Sequence, residues 1–520
     1  MRHIKISDQS IRDESLETQG NIVISASAGT GKTHTIIERI LRDNEKINTY
    51  KTYAAITFTR KASKEIKNRM GIGIRNGFIG TNDNFILQEV IQPFIRDAYG
   101  EEYNKRLTPD FSNERASNSY SELLNIVKSN EEGFVCKYKN PKKNFGFELA
   151  LNILKESHVA KRYLKSKYFR IYVDEYQDCD QDMHKFFLYL SKILEIPLFL
   201  VGDIKQSIYE WRGGYPEGFK NLINNETRFS HFELKHNFRS NKQIQNYSNI
   251  FIDEVRSYYT HCDNIDEVKY IEPGIDDNEE ILDFIKLWCD NNKTIAFLVR
   301  KNVDGESFAN YFKENNIEMT YIPRSPLDDQ SLESNHIWIS RCLAFYLLQK
   351  NYSEHSFYDE IPMPETYKIK DLKIRLERIK SIWIDNNLQE FQKQCIDLYI
   401  YLADSIVEEK CKKEIQVLIN TLSDSKYIVT YNQHLYKHIL TTIHSSKGLQ
   451  YDQVIILAGD YFYGNKFEEQ LHYVAVSRAK EKLLILLNND LYLEKISECI
   501  TKVNELGFDL KSDDLLIKAL

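Results

Sequence analysis

The nine residues Ser25-Ala26-Ser27-Ala28-Gly29-Thr30-Gly31-Lys32-Thr33 constrain this chain more than any other stretch. An apolar run, Ile22-Val23-Ile24, precedes them, and a helical pattern from His34 to Leu41 follows. Strand, glycine-rich loop and helix in that order wrap backbone N–H groups around an anion at a helix N-terminus, where the peptide dipoles favour negative charge. From Ser27 to Gly31 the loop can cradle phosphate, Lys32 can reach the outer phosphates, and the Thr33 hydroxyl can ligate Mg²⁺. The full pattern begins with glycine where this chain has Ala26, but GTGKT behind a strand identifies the loop without it. A nucleoside triphosphate site is expected.

A chain of 520 residues exceeds what one hydrophobic core organises, so several domains are expected. No apolar run approaches the roughly 18 residues of a membrane span, and the first ten residues lack a signal-peptide core, which predicts a cytoplasmic protein. Eight cysteines scattered without CxxC pairs read as reduced thiols rather than a disulfide frame or a zinc site. With a net charge of −7, any nucleic-acid surface must be a local patch.

A second strand is expected at residues 54–58, followed by a helix to residue 70 whose Ala62, Ile66 and Met70 share one face. Its bases Arg60, Lys61, Lys64 and Lys67 suit either a nucleic-acid backbone or an ordinary solvated face. Residues 86–165 are polar, then basic and aromatic, and read as a mostly helical insertion. At 171–173 an apolar strand ends in Asp174-Glu175, the placement of a Mg²⁺ carboxylate followed by an acid free to polarise water. The strand at 196–201 leads to Gln206, placed to sense a terminal phosphate, and to Tyr209, Trp211 and Arg212, an aromatic and cationic set suited to stacking on bases. A second strand–helix series begins at residue 294, loosens into helices over 326–435, and resumes with a strand at 454–458, a helix at 467–480 and a strand at 483–487. Near-continuous apolar strands alternating with helices predict an α/β fold with two covered parallel sheets. That pairing leaves no place for a kinase of the phosphate-loop type.

Seven strings, ITFTRKASKEI, GFIGT, IYVDEYQD, LFLVGDIKQSIYEWRG, FELKHNFRSNKQI, TIHSSKGLQYDQVII and YVAVSRAKEK, resemble in order and from end to end those of superfamily 1A helicases of the UvrD/Rep type. The segments 77–100 and 140–182 and the short length are closer still to the helicase-like GajB subunits of the Gabija anti-phage defence system. The resemblance implies two RecA-like P-loop domains, 1–85 with 166–240 and 241–325 with 436–520, carrying insertions 86–165 and 326–435. It implies ATP and Mg²⁺ as cofactors, with Thr33 and Asp174 holding the metal and Glu175 acting as general base. Gln206, Arg239 and Arg478 would meet the γ-phosphate. Phe58, Arg60, Thr81, Tyr209, Trp211, Arg212 and His444 would meet single-stranded DNA. The implied activity is a DNA-stimulated ATPase that translocates 3′→5′, or a DNA-gated switch on a partner. The Gabija resemblance implies as that partner an OLD-like ATPase with a TOPRIM nuclease domain, and no nuclease motif is visible in this chain. A stand-alone helicase of repair or recombination is the other reading.

Departures from the family cluster where base and sugar are chosen. His34 and Phe238 stand where an arginine and a tyrosine usually clasp adenine. Gln450 replaces the ribose glutamate, Gln9 lies about two residues upstream of the base-reading glutamine, and Asn82-Asp83 replaces a histidine. Comparable hydrolysis of ATP, dATP and GTP is therefore expected. The short second insertion predicts poor unwinding, because each base-pair step costs about 1.4 kcal/mol of stacking to open.

Overall fold

The computed structural model describes residues 7–70, 76–103, 107–110, 115–128, 133–263, 265–272, 278–328, 336–361, 367–402 and 408–519. In chain order, β1 is Asn21–Ala26, β2 Thr52–Thr57, β3 Phe78–Thr81, β4 Leu107–Asp110, β5 Gly133–Cys136, β6 Tyr168–Val173, β7 Leu198–Gly202 and β8 Phe229–Leu234. The first sheet has the order β3-β2-β6-β7-β1-β8, parallel throughout. Alternate residues of the central strands enter opposite cores. Val23, Ile171, Val173 and Leu200 join one core, while Ile22, Ile24, Tyr172, Phe199 and Val201 join another with Ile36, Ile37 and Ile40 of helix Lys32–Lys46. Both faces are covered, which is why these strands read as unbroken apolar runs.

The second sheet takes β9 Val268–Ile271, β10 Ile295–Val299, β11 Thr320–Tyr321, β12 His438–Thr442 and β13 Tyr451–Leu457. A small hairpin, β14 Phe462–Tyr463 with β15 Lys466–Phe467, precedes β16 Ala479–Leu486 and β17 Ile517–Lys518. Its order is β11-β12-β10-β13-β16-β9-β17, again parallel. The architecture is two RecA-like α/β domains.

The segments between β3 and β6 and between β11 and β12 are built differently. In the first, helices Gln92–Tyr99, Tyr120–Val127, Phe145–Glu156 and His158–Lys167 accompany the short β4–β5 pair. Phe145, Phe147, Leu149 and Ile153 share one core with the sheet residues Val23 and Ile56. In the second, helices Ile337–Leu348, Ile369–Ile384, Leu388–Leu402 and Glu408–Ser423 enclose a core of their own around Leu343, Leu376, Tyr399 and Leu418, without a residue of either sheet. Among the described residues no helix is long and apolar enough to cross a membrane.

Two elements near the cleft differ from the sequence expectation. The helix expected over 467–480 is Glu469–Val476, and the strand expected at 483–487 is β16, beginning at Ala479. Lys480, Glu481 and Lys482 hid the strand start because they are charged. Their charges are met by Asp452 at 3.1 Å, by Lys293, and by the Trp288 carbonyl and ring. Arg478 consequently sits in the turn between helix and strand.

Candidate nucleotide site and interdomain cleft

The adjacent strands β6, β7 and β1 end side by side, with Ser25 registered on Gly202 and Val173 on Leu200. Open parallel sheets bind ligands beyond such carboxyl ends. β1 runs into the glycine-rich loop, where Gly29 and Gly31 take left-handed backbone at φ +76° and +85°. A Cβ on Gly29 would lie 2.2 Å from Asn237 Oδ1, so only glycine fits. Helix Lys32–Lys46 starts directly behind Gly31. Thr33 Oγ1 donates to Asp174 Oδ2 at 3.2 Å, and Lys32 Nζ lies 3.9 Å from Asp203 Oδ2 at the tip of β7.

Glu175 has φ +50°, an unusual conformation for a side-chain-bearing residue, and such strain concentrates at functional sites. Its carboxylate accepts a 2.5 Å hydrogen bond from Gln177 Nε2. Burial pushes the Asp174 carboxyl up to about 7, and the adjacent Glu175 charge adds to the rise. Burial also acts to raise Glu175, but Lys32, Lys447 and the Gln177 amide outweigh it and keep that carboxyl ionised. Two adjacent carboxyls thus differ in proton affinity.

The second domain reaches into this cleft. Arg478 Nη2 donates to Gln206 Oε1 at 3.2 Å, and Gln206 Nε2 donates to Asp203 Oδ2 at 2.6 Å. Lys447 Nζ lies 2.8 Å from Asp178 Oδ2, donates to the Gln206 carbonyl at 3.0 Å, and stands 4.5 Å from the centre of the Tyr209 ring. The Tyr473 hydroxyl accepts from the loop's Ala28 N–H at 3.2 Å. Arg239 Nη1 donates to the Ser477 carbonyl at 3.0 Å, while its buried Nε has no partner among the described residues. Burial pushes Arg478 down to about 9, and the neighbouring Arg239 charge deepens the fall. Neither arginine is ion-paired among the described residues, though Arg478 is only 1% exposed. A buried and a half-buried arginine, a lysine and a cradle of N–H groups suit a triphosphate, and the Thr33 and Asp174 oxygens suit Mg²⁺.

The other expected residues are more dispersed. Gln9 is exposed and its amide is bonded to Asp13 at 2.9 Å. His34 is exposed beside Glu38, and Gln450 is exposed. Phe238 is 51% exposed, with its N–H bonded to the Gly29 carbonyl at 2.9 Å and its ring 5.0 Å from the Arg12 guanidinium. Tyr209 is half-buried between Lys447 and Arg212, and His444 is exposed on the same second-domain loop as Lys447. Phe58 is half-buried, and Thr81 caps helix Asn82–Ile86 through Asn84 N–H. The side chains of Arg60 and Trp211 lie outside the described residues.

Several participants carried weak sequence signals. Lys447 stood in a string already singled out, without a role. Tyr473 lies in an apolar helix and reads as core. Asp8 and Arg12 form a buried 2.7 Å ion pair, and Arg12 also donates to the Thr30 carbonyl at 2.9 Å. Only their i,i+4 spacing hinted at it.

The profile of an AAA domain covers residues 9–212, and that of the UvrD-like helicase C-terminal domain covers residues 438–486. Gabija protein GajB of Bacillus cereus is 36% identical over 489 residues, spanning 93% of this chain and 96% of that protein. The chain belongs to the GajB family of UvrD-like helicases. The ATP-dependent DNA helicase PcrA of Staphylococcus epidermidis is 22% identical over 608 residues, and that of Staphylococcus aureus 23% over 607. Both alignments span 90% of this chain and 81% of the relative. A DEAD box protein from Methanococcus jannaschii matches at a TM-score of 0.32 and 13% identity over 97% of each chain, too distant to decide a fold that the two sheets decide themselves.

Proposed function

We propose that this GajB-family chain is a DNA-dependent NTPase that couples ATP hydrolysis to single-strand translocation or DNA-end sensing in anti-phage defence. The observation that carries this reading is the 3.2 Å contact of Arg478 on Gln206, which joins the two sheets over the phosphate loop. In this reading, bound MgATP supplies the phosphoryl group that is transferred to water. Lys32 and the loop N–H groups hold the phosphates, Thr33 and Asp174 hold the metal, and Glu175 accepts the proton of the attacking water. Arg239 and Arg478 stabilise charge on the phosphoryl oxygens. Because they reach the site from the second domain and its connection, charge on the phosphates pulls the lobes together.

Tyr209 and His444, with Phe58, Thr81, Arg212, Arg60 and Trp211, form the proposed single-strand path. Lys447 touches both Gln206 and the Tyr209 ring, a direct physical link between phosphate sensing and base stacking. The proposed partner is an OLD-like ATPase with a TOPRIM nuclease. The name of the B. cereus relative, a Gabija protein, favours a defence role over a stand-alone repair helicase.

The test is ATP turnover by the purified chain with and without single-stranded oligonucleotide, then with its genomic neighbour. DNA is expected to raise kcat, and DNA cleavage by the pair is expected to depend on an intact Lys32. Turnover indifferent to DNA would overturn the coupling. Robust, processive unwinding of long duplex by the chain alone would favour the stand-alone helicase.

A further inference from the structure

The segment from Asn237 to Asn241 links the two sheets both along the chain and through hydrogen bonds. On one side it meets the phosphate loop: Phe238 N–H donates to the Gly29 carbonyl at 2.9 Å, and Asn237 Oδ1 occupies the space a Gly29 side chain would need. On the other side it meets the turn into β16. Arg239 Nη1 bonds the Ser477 carbonyl at 3.0 Å, Ser240 Oγ the Ala479 carbonyl at 2.6 Å, and Asn241 N–H the Lys480 carbonyl at 2.8 Å. Between these two attachments the backbone is folded by one acceptor. Asn237 Oδ1 takes the Arg239 N–H at 2.7 Å and the Ser240 N–H at 3.1 Å, an Asx turn.

We propose that Asn237 is a positioning residue, whose side-chain carbonyl holds Arg239 against the phosphate loop while residues 240 and 241 remain tied to the second sheet. The inference rests on the proposed role of Arg239 at the γ-phosphate. A guanidinium displaced by about 1 Å loses much of its effect on a reacting phosphoryl group. Without the turn, the Arg239 and Ser240 N–H groups lose their acceptor, and the arginine keeps only its Ser477 anchor. Movement of the loop would then no longer reach β16 through a rigid connection.

Asn237→Ala is expected to lower kcat for ATP at least tenfold while KM stays within threefold. Asn237→Ser restores a hydroxyl acceptor for the same two N–H groups and is expected to return kcat to within fivefold of the parent. Amide hydrogen exchange supplies a readout independent of turnover. Peptides covering residues 237–241 and 477–481 should exchange at least tenfold faster in Asn237→Ala, and the serine variant should recover protection. Unchanged exchange in Asn237→Ala would overturn the proposal, as would a serine variant as slow and unprotected as the alanine one, or a loss confined to KM. A parent protein that hydrolyses no nucleotide would refute the proposed function, while the exchange result would still decide whether Asn237 holds the turn.

Discussion

Arg39 is buried on helix Lys32–Lys46 and Arg170 on the neighbouring strand β6, while in the cleft between the sheets Arg478 is buried and Arg239 half-buried. The first pair shares the carboxylate of Asp43: Arg39 Nε lies 3.1 Å from both of its oxygens, Arg170 Nε 2.8 Å from one, and the Tyr172 hydroxyl donates to it at 2.5 Å. The second pair is bonded to main-chain carbonyls, a serine hydroxyl and an amide oxygen, and to no acid among the described residues. Burial lowers the proton affinity of both Arg170 and Arg478. What opposes burial most strongly is Asp43 for Arg170, whereas for Arg478 the next contribution is repulsion from Arg239. A buried cation already matched by a carboxylate serves the fold, while one left with neutral acceptors can serve an incoming anion.

That contrast can be broken in order of expected effect. Lys32→Ala removes the lysine proposed to hold the phosphates and should abolish ATP turnover, measured by phosphate release, with single-strand binding retained. Arg478→Met should cut kcat by about 10³–10⁵-fold without lowering the melting temperature, because no carboxylate is left stranded. A fall in melting temperature of more than a few degrees would place Arg478 with the structural arginines. Asp43→Ala should do the reverse, costing about 3–5 kcal/mol in denaturant unfolding while kcat/KM per folded molecule stays within threefold. Tyr209→Ala, on the far side of Lys447, should weaken single-strand binding about 5–150-fold by anisotropy, as expected for losing one stacked base. The smallest effect concerns the nucleobase: kcat/KM for GTP should lie within about tenfold of that for ATP, given that good hydrogen-bond readout alone discriminates by about 10⁴ or more. A preference above a hundredfold would show that the cleft reads adenine after all.

The proposed catalytic groups on the first sheet were legible because each of them follows an apolar strand. Lys32, Thr33, Asp174, Glu175 and Gln206 all sit within a few residues of a strand end, and such ends converge in any parallel sheet. Arg239 and Arg478 needed the family resemblance, since Arg239 follows the half-polar strand β8 and Arg478 precedes β16. Composition could not distinguish the acid-free arginines from the paired ones; Arg39–Asp43 at i,i+4 reads as a surface helix pair and is fully buried. The β16 start was hidden because three charged residues open it, and their partners Asp452, Lys293 and Trp288 are distant in sequence.

Local chemistry by itself determined the phosphate loop, the two parallel sheets and the interruptions between β3 and β6 and between β11 and β12, because glycine conformation and apolar periodicity act over a few residues. Only the tertiary structure decided which buried charges are neutralised. It also decided that the first interruption shares the sheet's core while the second encloses its own, and that residues 237–241 bridge the phosphate loop to β16. Those outcomes depend on groups far apart in sequence, Arg239 and Ser477 by more than two hundred residues, and no local pattern encodes the distance between them.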